Sequence, residues 1–244
     1  MANPILRNSF NTEERVYEGE PMTISGAINK TLTLLALVTV SAGYSWYLMA
    51  SGFTDKASML CLGGAVAGFI LALVIIFSRG RLAPVLSPFY AIGEGFFIGG
   101  ISSFFEAAYS GIVMQAVAGT LAALLSMLLL YRAKVIQCTD KFRAVLFTAT
   151  MSIGVIYLIQ IIASLFGRGI PQIFTSSAIG IGFSVVVVLI AAFNLIVDFD
   201  FIEKGAENML PKAFEWYGAF GLMVTLIWLY LEILRLLAKL ADRN

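Results

Sequence analysis

Long apolar runs constrain the fold of this 244-residue chain more than any other feature. Seven runs of 20 residues or more cover residues 31–50, 57–77, 83–103, 109–131, 144–166, 175–197 and 213–240. A helix of about 20 apolar residues crosses the roughly 30 Å hydrocarbon core of a bilayer. Lipid offers no hydrogen bonds to a bare backbone, so each run must be helical. We therefore expect an all-α polytopic membrane protein with seven transmembrane helices.

The charge content supports a lipid-embedded chain. Charged residues make up 13% of the sequence, against about 25% in soluble domains. Residues 1–30 are polar and include four glutamates (Glu13, Glu14, Glu18 and Glu20). We predict a polar cytoplasmic N-terminal tail over residues 1–30 and a transmembrane domain over residues 31–240.

Several functional classes are excluded by residues that the chain lacks. It has no histidine and only two cysteines, Cys61 and Cys138, so imidazole-bound metals, a Ser-His-Asp triad and a disulfide framework are ruled out. We expect no metal site, no cofactor and no enzymatic activity. The net charge is +1 and no polybasic run occurs, so the sequence offers no basic patch of the kind that binds nucleic acid.

The distribution of basic residues predicts the orientation. The connections on the N-terminal side hold Arg79, Arg81, Arg132, Lys134, Lys141, Arg143, Lys204 and Lys212, and those on the other side hold only Lys56 and Arg168. The positive-inside rule therefore places the N-terminus in the cytoplasm. An odd number of spans then puts the C-terminus outside, where Arg235, Lys239 and Arg243 oppose the rule.

Two of the seven runs are irregular. Pro84, Pro88 and Glu94 interrupt the third run. The seventh is longer than a simple crossing requires, and an interfacial turn around Trp216 and Tyr217 is one way to accommodate its start.

Three acidic residues fall in or near the spans: Glu94 in the third, Asp198 at the end of the sixth and Glu232 in the seventh. A charge at mid-bilayer costs on the order of 3 kcal/mol. No Lys or Arg lies at the centre of the first six spans, which favours bound cations or protonated carboxyls. Asp198 and Glu232 are candidates for an acid pair that shares a proton and responds to pH.

Each acid also has a simpler interpretation. Asp198 would cap the sixth helix, Glu232 would form an ion pair with Arg235 three residues on, and Glu94 would bond to a neighbouring helix as a packing rather than a pore residue. Glu232 lies 20 residues beyond Lys212, about 30 Å along a helix. The pair can meet only if both helices extend into the cytoplasm before turning at 208–211.

The C-terminal half carries two motifs, NLIVDFDFI at 194–202 and LYLEILRLL at 229–237. With Met22-Thr23, Lys30-Thr31, Trp46 and Glu94-Gly95, they resemble the bacterial branch of the Bax inhibitor-one (TMBIM) family over roughly residues 20–240. The resemblance implies a last helix wrapped by the other six, and a pH-sensitive calcium leak gated by Asp198 and Glu232. It also implies a latch arginine at Arg79, with Arg81 as the second choice. The chain departs from the family pattern in having Glu rather than Asp at 232, and a longer link between the two acids.

Three functional hypotheses follow. The first is a pH-sensitive cation leak, with calcium as the permeant ion, in a bacterial inner membrane. The second is a non-conducting membrane-embedded regulator of a protease or stress pathway, which docks a membrane protein partner through its acidic tail. The third is a proton-coupled transporter, indicated only by the Pro84–Pro88 segment.

Overall fold

The computed structural model describes residues 20–167 and 171–243. The helices are α1 (Ile24–Ala50), α2 (Thr54–Phe77), α3 (Ala83–Ala108), α4 (Ile112–Arg132), α5 (Asp140–Leu165), the single turn α6 (Pro171–Phe174), α7 (Ala178–Glu207) and α8 (Ala213–Ala241). Within the described residues, seven of these helices are long and apolar enough to span a membrane. This confirms the predicted fold class, with α7 and α8 as the sixth and seventh spans.

Most helices extend beyond their apolar runs into polar sequence. α1 begins at Ile24, within the stretch assigned to the tail, because the Thr23 hydroxyl caps it by accepting from the amide of Gly26. Thr139 caps α5 in the same way. An N-cap hydroxyl satisfies one of the otherwise unbonded amides of a first turn, so a helix can start outside the hydrocarbon core.

The third span is one continuous helix. Pro84 lies in the first turn of α3, and Pro88 lies inside the helix without ending it. Proline is tolerated in the first turn because the amide it lacks would have no helical partner there. The expected interruption by these residues and Glu94 does not occur. α8 likewise runs unbroken from Ala213, through Trp216 and Tyr217.

The last helix lies at the centre of the bundle. α8 packs against α1, α3, α4 and α7 and has more buried residues than any other described helix. Its buried apolar side chains include Phe220, Met223, Leu229 and Leu234. This confirms the expected central position of the last span, against which four of the other six pack in the described chain.

The bundle has two ends that differ in charge. The basic end carries the connections 78–82, 133–139 and 208–212, and the far end carries 51–53, 109–111, the described residues 166–167 and 171–177, and the C-terminus of α8. Each long helix runs from one end to the other, so the two ends of the described chain lie at opposite ends of the bundle.

A short N-terminal clasp, residues 20–23, ties the first helix to the start of the last one at the basic end. The amide of Met22 donates to the carbonyl of Leu210 at 2.7 Å, and Glu20 forms an ion pair with Lys212. The carboxylate of Glu215, only 2% exposed, accepts from the amide and hydroxyl of Thr23 at 3.1 and 3.0 Å. The α7–α8 connection is therefore held by the segment that leads into α1.

Candidate ion-gating site

Glu232 is the most deeply buried acid of the transmembrane region. It lies in the half of α8 nearer the far end of the bundle and is 1% exposed. Its Oε1 accepts from the Tyr157 hydroxyl of α5 at 2.8 Å and from Nη1 of Arg235 at 2.9 Å. Arg235 also donates to the Tyr157 hydroxyl at 2.7 Å. The i,i+3 ion pair anticipated from the sequence is present, and Tyr157 closes it into a three-membered network.

Aromatic rings surround this network. The Tyr157 ring lies 5.7 Å from that of Phe174 in α6 and 6.3 Å from that of Phe183 in α7. The guanidinium of Arg235 lies 5.1 Å from the centroid of the Tyr157 ring. A charge-assisted bond is strengthened when water is kept away. The far-end turn α6 therefore shields the Glu232 network.

Asp198 contacts α8 nearer the basic end. A Cβ on Gly221 would lie 3.7 Å from its Oδ1, and the Thr225 hydroxyl, which donates to the carbonyl of Gly221 at 3.3 Å, lies near the same carboxyl. Its Oδ2 is inaccessible and has no hydrogen-bond partner among the described residues. α7 continues nine residues further, to Glu207. The interpretation of Asp198 as a helix cap is therefore wrong.

Asp198 and Glu232 lie on adjacent helices but at different depths. Asp198 lies at the same depth in the bundle as Gly221 and Thr225 of α8. Glu232 is seven residues beyond Thr225, about 10 Å further along the helix axis. α7 and α8 do extend to a turn at 208–212, as contact between the acids requires. The carboxyls nevertheless have separate partners, and no hydrogen bond joins them in the described part of the chain.

The chain matches a family model described as Bax inhibitor 1 like over residues 3–242. It belongs to the Bax inhibitor 1-like family. No curated protein matches the chain at a significant level. Members of the family are generally non-enzymatic membrane proteins, and the seven apolar helices agree with a multi-pass integral membrane protein.

Arg79 of this Bax inhibitor 1-like protein lies in the α2–α3 connection, in the left-handed region at φ 52°. Its side chain is exposed and forms no ion pair with a described carboxylate. The next residue, Gly80, is buried, and a Cβ there would lie 2.9 Å from the Tyr217 ring of α8. Tyr217 is one turn before Gly221, so Arg79 lies near the same end of α8 as Asp198.

Glu94 lies at the interface between α3 and α2. It is half-buried in α3 and packs on Gly68 of α2, where an added Cβ would lie 2.6 Å from Oε1. Among the described residues, Glu94 has neither an ion pair nor a hydrogen bond. The packing contact is therefore present and the anticipated interhelical hydrogen bond is not.

Sequence reasoning missed an ion-pair cluster at the basic end. Asp200, 5% exposed, lies two residues beyond Asp198 and accepts from Arg143 of α5 at 2.6 Å and from Lys204 at 2.9 Å. The i,i+4 spacing of Asp200 and Lys204 could have indicated that pair. The contact with Arg143 joins distant segments and leaves no local signal.

The basic residues near the C-terminus are largely taken up inside the bundle. Lys239, 5% exposed, donates to the carbonyls of Ile173 and Gly180 at 3.0 Å each and to the Ser184 hydroxyl at 2.9 Å. Arg235 is bound to Glu232. Two of the three charges that opposed an external C-terminus are thus engaged within the protein.

Proposed function

We propose that this Bax inhibitor 1-like protein is a pH-sensitive cation leak, with calcium as the permeant ion. Asp198 and Glu232 are its gating groups. The membrane is a bacterial inner membrane, and the N-terminus is cytoplasmic. The observation that carries the proposal is the placement of these carboxyls on the adjacent helices α7 and α8, with Glu232 only 1% exposed and Oδ2 of Asp198 inaccessible. Intramembrane acids face functional pathways more often than lipid, and hard divalent cations prefer carboxylate and carbonyl oxygens.

Glu232 supplies the closing contact in this mechanism. While ionised, it holds Arg235 and Tyr157, and through Tyr157 it holds α5 against α8. The carboxylate is the shared acceptor of both hydrogen bonds, and charge-assisted hydrogen bonds are roughly twice as strong as neutral ones. Tyr157 and Arg235 face the carboxyl directly and Lys239 lies two turns beyond it. We expect loss of the carboxylate charge to loosen this contact and raise the leak.

Asp198 acts at a second level of the same pathway. Its Oδ2 has no partner among the described residues, so it is free to accept a proton or contact a cation. The two acids then work in series about 10 Å apart, rather than as one hydrogen-bonded dyad. Arg79 is proposed as the latch that pairs with Asp198. Its neighbour Gly80 packs on Tyr217, one turn of α8 before Gly221, and Gly221 is the residue that Asp198 faces.

A proteoliposome assay tests the proposal. Purified protein is reconstituted with a calcium-sensitive dye inside, and the initial influx is measured from pH 6 to pH 8. We expect influx to rise as the pH falls, and Glu232→Gln to abolish most of this dependence. Asp198→Asn should lower the flux at every pH. Unchanged flux and pH dependence in both variants would falsify the proposal.

The alternative function, a non-conducting regulator, is favoured by the N-terminal clasp. Glu20 and Thr23 anchor the chain to Lys212 and Glu215, so a partner bound to the preceding residues would pull on the α7–α8 connection. Residues 1–19, which include Glu13, Glu14 and Glu18, lie outside the described residues. Deleting residues 1–19 keeps the clasp, so a leak should survive the deletion, whereas binding of a partner through the acidic tail should be lost.

A further inference from the structure

The fifth span carries polar side chains at a spacing of seven residues. Arg143, Thr150 and Tyr157 recur along α5, and this spacing keeps them on one face of a helix, about 10 Å apart. Each one contacts a polar group of the α7–α8 pair. Arg143 donates to Asp200 at 2.6 Å, Thr150 accepts from Asn194 at 3.0 Å, and Tyr157 donates to Glu232 at 2.8 Å. We call these three contacts the polar seam.

Little else attaches α5 to the bundle. Leu146 and Ile153 are its only buried residues in the described chain. The side chains on its other faces are exposed and apolar, among them Val145, Phe147, Met151, Val155 and Leu158. Apolar contact does not drive helix association within lipid, where the tails are equally apolar. The polar seam, with the aromatic contacts at its two ends, therefore holds this helix in place.

Two open cavities lead to the basic end of the seam. One, of about 440 Å³, is lined by polar residues of the α4–α5 connection and by Asp200 and Glu203. The other, of about 340 Å³, is lined by Arg143, Asp200 and Lys204, and also by Val197 beside Asp198. Asp200 lines both cavities and Arg143 lines the second, so this ion pair forms part of the cavity wall at the basic end of the seam.

We propose that the polar seam between α5 and the α7–α8 pair is the path that a permeant cation follows. The inference rests on the proposed leak function and assigns it a route. The seam offers hydroxyl and carboxylate oxygens at three depths, which is the ligand chemistry of hard cations. In this structure Arg143 and Arg235 neutralise the carboxylates at either end, so the path is closed. A cation passes when α5 separates from α7 and α8.

Cysteine accessibility tests the route without relying on flux. In a background with both native cysteines replaced by serine, Thr150→Cys is compared with Thr148→Cys. Thr148 is exposed on the lipid side of α5 and differs in position by only two residues. At pH 6, where the proposed leak is open, a charged methanethiosulfonate should modify the thiol at 150 about tenfold faster, because the reactive thiolate forms only where water reaches. Equal rates at 148 and 150 would overturn the inference.

Cross-linking tests whether α5 must move. The Thr150 and Asn194 side chains are in direct contact, with Nδ2 3.0 Å from Oγ1, so Thr150→Cys combined with Asn194→Cys is oxidised and disulfide formation is verified by mass spectrometry before the flux is measured. We expect calcium influx to fall about tenfold when the disulfide forms and to return on reduction, with the single-cysteine variants unaffected by the same oxidation. Folding of each variant is checked by its elution volume in size-exclusion chromatography in detergent.

The two proposals fail in different ways. If the serine background and the wild-type protein conduct no calcium at any pH, the leak function itself is wrong. If both conduct and the oxidised double-cysteine protein conducts equally well, the leak stands and the route along the polar seam is wrong.

Discussion

At the scale of single residues, the structure ranks the partners of Glu232. Arg235 neutralises a buried carboxylate, whereas Tyr157 supplies one neutral hydroxyl. Leaving a buried charge without its counter-ion costs about 3 kcal/mol, and losing a neutral donor costs about 1 kcal/mol. We therefore expect Arg235→Gln to destabilise the protein more than Tyr157→Phe, as measured by thermal unfolding in detergent.

The double variant provides the control for that ranking. Glu232→Gln removes the charge that Arg235 neutralises. Arg235→Gln should therefore lower the thermal stability much less in that background than in the wild-type protein. If the two changes were simply additive, the ion pair would contribute nothing to stability.

A second residue-scale prediction concerns the clasp. Gly26 faces the buried carboxylate of Glu215, and a Cβ there would lie 1.9 Å from Oε1. Gly26→Ala must displace a side chain that two hydrogen bonds hold in place, so we expect a loss of about 1–3 kcal/mol in stability. Gly43→Ala in the same helix meets nothing within 4 Å and should be neutral or slightly stabilising. Equal effects of the two substitutions on the melting temperature would show that the hydrogen bonds between Glu215 and Thr23 do not contribute to stability.

At the scale of whole helices, two adjacent glycines of α2 distinguish the effect of helix–helix packing on stability from that of helix propensity. A Cβ on Gly64 would lie 2.3 Å from the backbone carbonyl of Gly93 in α3, whereas a Cβ on Gly63 meets nothing within 4 Å. Backbone cannot move aside as a side chain can, so Gly64→Ala should force α2 and α3 apart and cost about 1–3 kcal/mol. Gly63→Ala should leave thermal stability unchanged or raised. The opposite order would contradict the close helix approach.

The helices themselves could be predicted from the sequence, because hydropathy and length suffice for a span. Their ends could not. α7 continues from the apolar run through Asp200 to Glu207, where polar side chains reach water and the backbone keeps its helical bonds. The turn α6 was also missed. It is held by Lys239 near the C-terminus of α8, which donates to the Ile173 carbonyl over a sequence separation of 66 residues.

Part of the candidate site could also be predicted. The motif and the cost of buried charge pointed to Asp198 and Glu232, and the i,i+3 spacing indicated the pair with Arg235. The depth of each acid against the facing helix depends on how α7 and α8 are staggered, which no local pattern encodes. The contribution of α5 was missed because Arg143 and Tyr157 contact partners more than 50 residues away.

At the scale of the whole molecule, the absence of histidine restricts which groups can sense pH. No side chain of ordinary pKa then titrates between about pH 5 and 8, a free α-amino group aside. The polar ends of the bundle do not fill that gap. The hydrogen bond and charge of Lys212 lower the pKa of Glu20, and hydrogen bonds from Tyr109 and Ser176 lower that of Asp242. Burial raises the pKa of the Cys138 thiol.

The signs of these shifts give the last prediction. A carboxyl with a lowered pKa stabilises the fold at every pH above its ordinary range, and the stabilisation is lost only as the pH falls toward the lowered value. Glu20 and Asp242 therefore stay ionised throughout pH 6–8. Glu20→Gln and Asp242→Asn should shift the melting temperature equally at pH 6 and pH 8 and leave the pH profile of calcium influx unchanged. Glu232→Gln should flatten that profile. A shifted pH profile of calcium influx in Glu20→Gln or Asp242→Asn would show that pH is sensed at the ends of the bundle rather than by the intramembrane carboxyls.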